Sequence, residues 1–199
     1  MLKIITMPLG DYQTNCYIVA EKGSNQCIVI DPGYEPQTIL SRLEKEQLEL
    51  TAILLTHGHF DHVGGVRELA AETDCKVYLC GEDLSMPPAF TAGPLYYTDL
   101  YGEGDRVTEA GLTFQVMHTP GHTPGSVCLI CENGMFCGDT LFRGSCGRTD
   151  LPGGSWKAMQ DSLRRLYTLD AELDVYPGHG PSSTLSHEKA TNPYMKGDL

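Results

Sequence analysis

Apolar and β-branched residues cluster in short runs along the first half of the chain, and these runs predict strands. Residues 14–20 and 26–30 form two such runs, and the polar, glycine-containing stretch between them is typical of a hairpin. Residues 52–56 and 76–79 form two further runs. Each of these later runs follows a segment with a different period.

The segments before and between these later strands repeat their apolar residues with the period of a helix. Residues 36–48 begin with a proline at a plausible first helical position, and Ile39, Leu40 and Leu43 share one face. After residue 62, a second helical face is marked by Val63, Val66, Leu69 and Ala70. This alternation of strands and helices indicates an α/β fold.

The second half of the chain has a similar pattern. Strands are predicted over residues 112–117, 126–131, 135–137 and 174–176, and an Asn-Gly pair between the second and third predicts a tight turn. Ser155 is the predicted N-cap of a helix. The apolar face of that helix consists of Trp156, Met159, Leu163 and Leu166.

Residues 81–104 show no clear period and contain several prolines, glycines and aromatic residues. They predict a long loop that either covers a site or packs against the sheet, and the pattern alone leaves both interpretations open.

Composition and charge exclude several classes of protein. The chain has 199 residues, which favours one domain over 1–199, and its formal net charge of -12 counts against a general binder of nucleic acid or anionic membranes. No apolar run approaches the ~20 residues of a membrane span. Pro8 and Gly10 interrupt the start of the chain, so no secretory signal is predicted. We therefore expect a soluble, cytoplasmic protein with no nucleic-acid or membrane partner.

The eight cysteines are expected to be reduced, because no secretory signal accompanies them. Cys128 and Cys131 have the spacing of a redox pair, but they fall on a predicted strand, where residues three apart point to opposite faces. We therefore expect no redox role.

The candidate chemistry centres on residues 56–62, which read Thr-His-Gly-His-Phe-Asp-His between a strand and a helix. A divalent cation needs nitrogen and oxygen donors that converge at about 2 Å. His57 and His59 share a side of an extended chain. Asp61 and His62 lie where the chain turns, so they can face a second metal. The alternative is a capped turn with Asp61 as the helix N-cap.

Further candidate donors follow predicted strands elsewhere in the chain. His122, Asp139 and His179 each come after a strand and beside a glycine. Strand ends that open on one edge of a sheet bring such distant residues together. With the four donors of residues 57–62 they make seven, which suits two metals. Asp31 either orients a ligand histidine or begins a turn.

The chain carries four motifs in a characteristic order, THGHFDH, HTPGHTPGS, GDTLF and PGHG. In this order and spacing they resemble the metallo-β-lactamase fold and, more narrowly, glyoxalase II, the hydroxyacylglutathione hydrolases. The short chain looks like the small, single-domain bacterial glyoxalase II-like proteins. The resemblance implies a four-layer αββα sandwich built from two similar halves, with a dinuclear metal site at one edge.

The resemblance also implies which residues bind metal. Three histidines would bind a first ion, a carboxylate and two histidines would bind a second, and one aspartate would bridge both. In that order the residues are His57, His59 and His122; Asp61, His62 and His179; and Asp139. Two divalent cations are expected, zinc before iron or manganese. His118 and His187 are expected to be non-ligands.

Such a site predicts acyl hydrolysis. Two cations ~3.5 to 4 Å apart can share a water, lower its pKa and polarise a carbonyl. Asp61 and Asp139, with that bridging water, are the expected catalytic groups. A thiolate with a pKa of roughly 8.5 leaves without a dedicated general acid, and the sequence offers none beyond the ligands. We expect hydrolysis of S-2-hydroxyacylglutathione thioesters, such as S-lactoylglutathione to lactate and glutathione.

Recognition of the thiol is where the chain departs from the family. Glyoxalase II has a helical C-terminal domain that contributes to glutathione binding, and this chain stops about twenty residues after His179. Arg148 stands where the family has a glutathione-binding lysine, and Asp150 stands where it has a tyrosine. The expected substrate-binding residues are Arg148, Arg143, Tyr96, Tyr97 and Tyr101. The alternative is that both arginines only pair with surface carboxylates.

Three other functions fit the same fold. A persulfide dioxygenase has a similar motif but uses a single iron, whose ligands here would be His57, His122 and Asp139. A lactonase or β-lactamase-like hydrolase is the second alternative. A nuclease is the third, and the acidic charge counts against it.

Overall fold

The computed structural model describes residues 1–196, whose strands form two six-stranded sheets and one short hairpin. The first sheet contains, in spatial order, β1 (Leu2–Leu9), β2 (Thr14–Glu21), β3 (Gln26–Ile30), β4 (Glu49–Leu54), β5 (Lys76–Cys80) and β6 (Asp99–Tyr101). The second contains, in spatial order, β14 (Ser183–Thr184), β13 (Asp174–Pro177), β10 (Gly134–Gly138), β9 (Val127–Cys131), β8 (Leu112–His118) and β7 (Arg106–Glu109). The hairpin consists of β11 (Leu141–Phe142) and β12 (Ser145–Cys146).

The two sheets repeat one connection pattern. In the first, β1, β2 and β3 are antiparallel neighbours, and helix α1 (Pro36–Glu46) then leads to β4, which pairs with β3 in parallel. In the second, β8, β9 and β10 are antiparallel neighbours, and helix α4 (Trp156–Thr168) precedes β13, which pairs with β10 in parallel. The predicted two similar halves are confirmed.

The division of buried side chains shows four layers. Strand β2 is buried on both faces: Cys16 and Ile18 pack towards the helices of the first half, and Tyr17 and Val19 pack against the second sheet. A third cluster, which includes Leu163 of α4, lies between the second sheet and its helices. Burying each large aliphatic side chain contributes about 2 kcal/mol. The predicted αββα sandwich is confirmed.

Four shorter helices complete the outer layers. They are α2 (Phe60–Val63), α3 (Val66–Thr73), α5 (Leu185–Thr191) and α6 (Pro193–Lys196). Of these, α3 buries Val66, Leu69 and Ala70, which is the helical face predicted from their spacing. None of the helices within residues 1–196 has the length and apolar character needed to cross a membrane.

The structure differs from the sequence pattern in several places. Strands β1 and β7 were not predicted; β1 tolerates Pro8 because an edge strand can leave one side unpaired. The predicted loop 81–104 instead holds two 3₁₀ turns, Gly81–Ser85 and Pro88–Phe90, and the edge strand β6. Ser155 Oγ does cap α4 by accepting a hydrogen bond from Ala158 N, but Trp156 is exposed and contacts Tyr194 edge-on.

Candidate metal centre

The seven predicted donors lie at one edge of the sandwich, where strands from both sheets end. His57 and His59 follow β4, and Asp61 and His62 lie in the first turn of α2. The extended backbone of His59 keeps it on the same side as His57. The three other donors follow β8, β10 and β13, and they are His122, Asp139 and His179. All are buried except His179, which is half-buried.

The first donor group consists of His57, His59 and His122, whose ligand atoms all lie within 4.8 Å of one another. His59 Nδ1 and His122 Nε2 are 2.8 Å apart. Three imidazole nitrogens from two separate loops therefore point at a common centre, as the resemblance implies.

The second donor group consists of Asp61, His62 and His179, and its ligand atoms meet the same distance limit of 4.8 Å. Asp61 Oδ2 lies 3.2 Å from His179 Nε2 and 3.7 Å from His62 Nε2. This group combines one carboxylate oxygen with two imidazole nitrogens, a donor set that suits a divalent transition metal.

Asp139 lies between the two donor groups. Its Oδ2 is 3.4 Å from His122 Nε2, and its Oδ1 is 3.4 Å from His62 Nε2. One carboxylate oxygen thus faces each group, which is the position that a bridging ligand would take. Gly178 packs directly against this residue, since a Cβ at position 178 would lie 2.2 Å from Asp139 Oδ1.

The hydrogen-bonding state of these residues fits metal ions. Within residues 1–196, five buried side-chain polar atoms have no hydrogen-bond partner, and four of them belong to the predicted ligands. These four are His57 Nε2, His59 Nε2, His62 Nε2 and Asp139 Oδ1. Buried polar atoms without a partner are costly unless a ligand satisfies them. Coordination by divalent cations would satisfy His57 Nε2, His62 Nε2 and Asp139 Oδ1. His59 faces the centre through Nδ1 instead.

In three of the histidines the Nδ1 atom, which points away from the donor groups, has a partner that orients the ring; they are His62, His122 and His179. His62 Nδ1 lies 2.9 Å from Asp31 Oδ2, so Asp31 is placed to orient a predicted ligand histidine, which is one of the two roles the sequence left open. His122 Nδ1 lies 2.8 Å from the Arg148 carbonyl oxygen, and His179 Nδ1 lies 3.1 Å from the Tyr12 carbonyl oxygen. A donor Nδ1–H leaves the lone pair of Nε2 for a metal.

Thr56 orients His57 in the same way. Its hydroxyl donates to Asp31 Oδ2 at 2.5 Å and lies 3.2 Å from His57 Nδ1. Because the hydroxyl proton points to Asp31, its oxygen is left to accept Nδ1–H of His57.

Burial and mutual proximity set the protonation states. Burial, with the neighbouring histidines, lowers the pKa of His57 well below its usual value and that of His59 to about 4, so both rings are neutral at pH 7. Burial opposes the charged form of His62 too, but Asp139 and Asp31 outweigh it and raise that pKa. Asp139 is buried, yet His62 and the other imidazoles lower its pKa. The centre thus holds the neutral imidazoles of His57 and His59 beside the ionised Asp139, which are metal-binding forms, whereas His62 would have to lose a proton to bind a cation.

A cleft of about 620 Å³ opens onto the predicted metal donors. Five of the predicted donors line it, and they are His59, Asp61, His122, Asp139 and His179. The remaining lining residues are mostly aromatic or apolar, and they are Tyr12, Phe60, Phe90, Phe142, Ser145, Cys146, Arg148 and Leu151. An apolar cleft that ends on a cluster of polar donors is typical of a small-molecule site.

Only one of the predicted substrate-binding residues lines this cleft. Arg148 does, and its guanidinium donates two hydrogen bonds to Asp150, at 2.7 and 2.8 Å, on an exposed surface. Arg143 is exposed but lies outside the lining. The pairing with Asp150 is the alternative that the sequence left open.

The three predicted tyrosines do not line the cleft. Tyr101 is buried between the sheets, and its hydroxyl donates to the Leu55 carbonyl oxygen, so its predicted contact with substrate is wrong. Tyr96 packs on the first-half core beneath the Arg67 guanidinium. The segment 81–104 contributes Phe90 instead. The other aromatic lining residues were not predicted, although Phe60 and Phe142 lie within the motifs THGHFDH and GDTLF.

The two predicted non-ligand histidines lie outside both donor groups. His118 Nε2 lies 2.7 Å from the Pro124 carbonyl oxygen, and His118 groups instead with Cys80 and Glu82. His187 is an exposed residue of α5.

Cys128 and Cys131 point into different core layers, as expected, because they lie three residues apart on β9.

Residues 9–179 match the family model for the metallo-beta-lactamase superfamily. Hydroxyacylglutathione hydrolase GloC of Haemophilus influenzae is 32% identical, with 98% of each chain covered. The crystal structure of BLEG-1 B3 metallo-beta-lactamase superimposes with a TM-score of 0.90 at 35% identity, covering 99% of this chain and 100% of that one. The crystal structure of TTHA1623 in a di-iron-bound form superimposes with a TM-score of 0.84 at 41% identity, covering 96% of this chain and 99% of that one.

Proposed function

Because this chain belongs to the metallo-β-lactamase superfamily and has the fold and donor clusters of a metal-dependent hydrolase, we propose that it hydrolyses thioesters of the hydroxyacylglutathione type. Similarity to GloC, which covers nearly the whole of both chains, supports the thioester class. We propose the two donor groups and Asp139 as the ligands of two divalent cations, zinc before iron or manganese. The di-iron form of TTHA1623 supports a two-metal centre.

The thioester proposal rests mainly on which acidic groups line the cleft and could protonate a leaving group. Within residues 1–196, every carboxylate and imidazole in the lining belongs to the proposed metal ligands. The other acidic groups there are the Tyr12 hydroxyl and the Cys146 thiol, and burial raises the pKa of that thiol to about 11. A leaving group that needs a proton, such as an amine, would depend on a separate general acid. A thiolate with a pKa of roughly 8.5 leaves without one. The site therefore suits a thioester better than an amide.

The chain's own residues supply position and charge. Divalent cations, when bound, provide an activated water and polarise an acyl carbonyl. Asp61 and Asp139, the proposed catalytic carboxylates, line the cleft and are kept ionised by the imidazoles around them. The Thr14 hydroxyl donates to Asp61 Oδ2 at 3.3 Å and holds that carboxylate towards His179. Phe60, Phe90 and Phe142 would exclude water around the acyl group.

We propose that the thiol part of the substrate lies near Arg148. This guanidinium is at the rim of the cleft and can bind a glutathione carboxylate bidentately. Asp150 occupies the guanidinium in the free protein, so a substrate carboxylate has to compete with it. Glutathione recognition is therefore expected to be permissive.

A second candidate function is β-lactam hydrolysis, because BLEG-1 B3 metallo-beta-lactamase is similar over the whole chain. The nitrogen leaving group of a lactam needs protonation, which the cleft is less suited to supply.

A substrate panel at fixed enzyme and metal concentration tests the proposal. The panel contains S-lactoylglutathione, a thioester of an uncharged thiol, glutathione persulfide and a β-lactam. We expect the highest kcat/KM for a thioester, and His59→Ala serves as the inactive control. Oxygen consumption with the persulfide, or preferential opening of the β-lactam, would replace the thioester proposal with the corresponding alternative.

A further inference from the structure

Asp83 is a carboxylate that the proposed chemistry leaves unused, yet it is fully buried next to the metal centre. It lies in the 3₁₀ turn Gly81–Ser85, which follows β5 and belongs to the segment 81–104 that was predicted as a loop. No ion pair involving Asp83 occurs in the part of the chain that the structure describes. A buried carboxylate without a cation needs strong hydrogen-bond donors.

Three donors from two separate loops meet this carboxylate. Gly58 N donates to Oδ2 at 2.7 Å, and the Thr123 hydroxyl donates to the same oxygen at 3.0 Å. Gly125 N donates to Oδ1 at 2.6 Å. Gly58 stands between His57 and His59, and Thr123 directly follows His122. One side chain thus joins the two loops that carry the whole first donor group.

The packing around Asp83 is close enough to explain why positions 58 and 125 are glycines. A Cβ on Gly125 would lie 2.7 Å from the Asp83 carboxylate, and a Cβ on Gly58 would lie 3.3 Å from Asp83 Cβ. Both backbones approach the carboxylate where a side chain would push it away. The second donor group has other supports, namely Thr14 on Asp61 and the Tyr12 carbonyl on His179.

We propose that Asp83 is a positioning residue that sets the affinity of the first donor group for its metal. It acts by holding the loop with His57 and His59 at a fixed distance from the loop with His122. It does not touch the metal itself. This inference rests on the proposed metal assignment and is independent of the thioester substrate.

The test measures each metal position separately. His179→Ala leaves the first donor group, and His59→Ala leaves the second; the affinity of each background for cobalt(II) is measured by chelator competition and by the visible absorption of the bound ion. Adding Asp83→Asn is expected to weaken the first position by about 10- to 100-fold, as for other residues that orient ligands, and to leave the second unchanged. A merely structural role would weaken both positions alike.

Two threonines provide a matched pair of milder changes. Thr123→Val removes one donor from Asp83, and Thr14→Val removes the donor to Asp61. We expect the first change to weaken only the first position and the second change to weaken only the second. If Asp83→Asn does not fold, these two threonine variants still test whether the contacts of Asp83 support only the first metal position.

Equal losses at both positions, or none, in the Asp83 and Thr123 variants would overturn the inference. A wild-type protein that binds no metal would instead overturn the metal assignment on which it rests.

Discussion

Gly178→Ala is expected to disrupt the metal centre without unfolding the chain. A Cβ at position 178 would lie 2.2 Å from Asp139 Oδ1 and 2.7 Å from His62 Cε1. Ordinary van der Waals contact begins at 3.4 Å, so the Asp139 carboxylate has to move by about 1.2 Å. That oxygen is the one that faces His62 and the second donor group.

The backbone around Gly178 cannot easily relieve this clash. Gly178 N donates to the Gly138 carbonyl oxygen at 2.8 Å, and the Gly178 carbonyl oxygen accepts from Asn15 N at 2.7 Å. Both bonds would have to lengthen before the peptide could retreat. The displacement therefore falls on the side chains of Asp139 and His62.

A shift of this size has a predictable cost. Misplacing a reacting group by 1 Å can lower the rate by about 100-fold, and disturbed ligand orientation weakens metal binding by about 10- to 100-fold. We expect kcat/KM for a thioester to fall by about 100-fold, and bound metal to fall below the wild-type amount under limiting supply. Elemental analysis after gel filtration and a thiol-release assay measure the two effects.

Gly102→Ala is the matched control, because a Cβ there meets nothing within 4 Å. Its metal content, activity and thermal unfolding should equal those of the wild type. Wild-type metal content and kcat/KM in Gly178→Ala would refute the assignment of Asp139 as the shared ligand.

Four further predictions follow from the site. Protein purified without chelators should contain about two divalent metals per chain, in keeping with a two-metal hydrolase, whereas one tightly bound iron that excess metal does not change would favour the dioxygenase. His122→Ala should lower metal content and cut hydrolysis by orders of magnitude, whereas His118→Ala should keep both metals; equal losses would show that the wrong histidine was assigned. Arg148→Ala should raise KM for a glutathione thioester with little change in kcat and spare a thioester of an uncharged thiol. Asp150→Asn should lower that KM, because it releases the Arg148 guanidinium. If either variant changed KM equally for the thioester of the uncharged thiol, Arg148 would not anchor the glutathione carboxylate.

The sequence predicted the fold and the grouping of the donors from local patterns and from the resemblance. Strand and helix periods depend on which face of an element is buried, and this can be read from spacing alone. The residues of α3 and the β9–β10 hairpin therefore appeared where expected. The glycines beside His122, Asp139 and His179 mark strand ends that converge on one edge of the sandwich.

The spacing of residues did not reveal contacts made across the fold. Tyr101 was expected in the substrate site, but β6 pairs with β5, and its register turns that side chain into the space between the sheets. Arg148 and Asp150 are two residues apart, and only the geometry shows that their side chains pair in the free protein.

Asp83 shows the same limit most clearly. In the sequence it is one acidic residue in a segment without a period, with nothing to distinguish it from other surface carboxylates. Tertiary structure brings it within hydrogen-bonding distance of residues 25 and about 40 positions away, and buries it fully between them. Local periodicity thus determined the elements and the strand ends, and the resemblance assigned the donors at those ends. The lining of the cleft and the residues that hold the donors in place depended on long-range packing, because the sequence positions of these residues do not encode their distances in space.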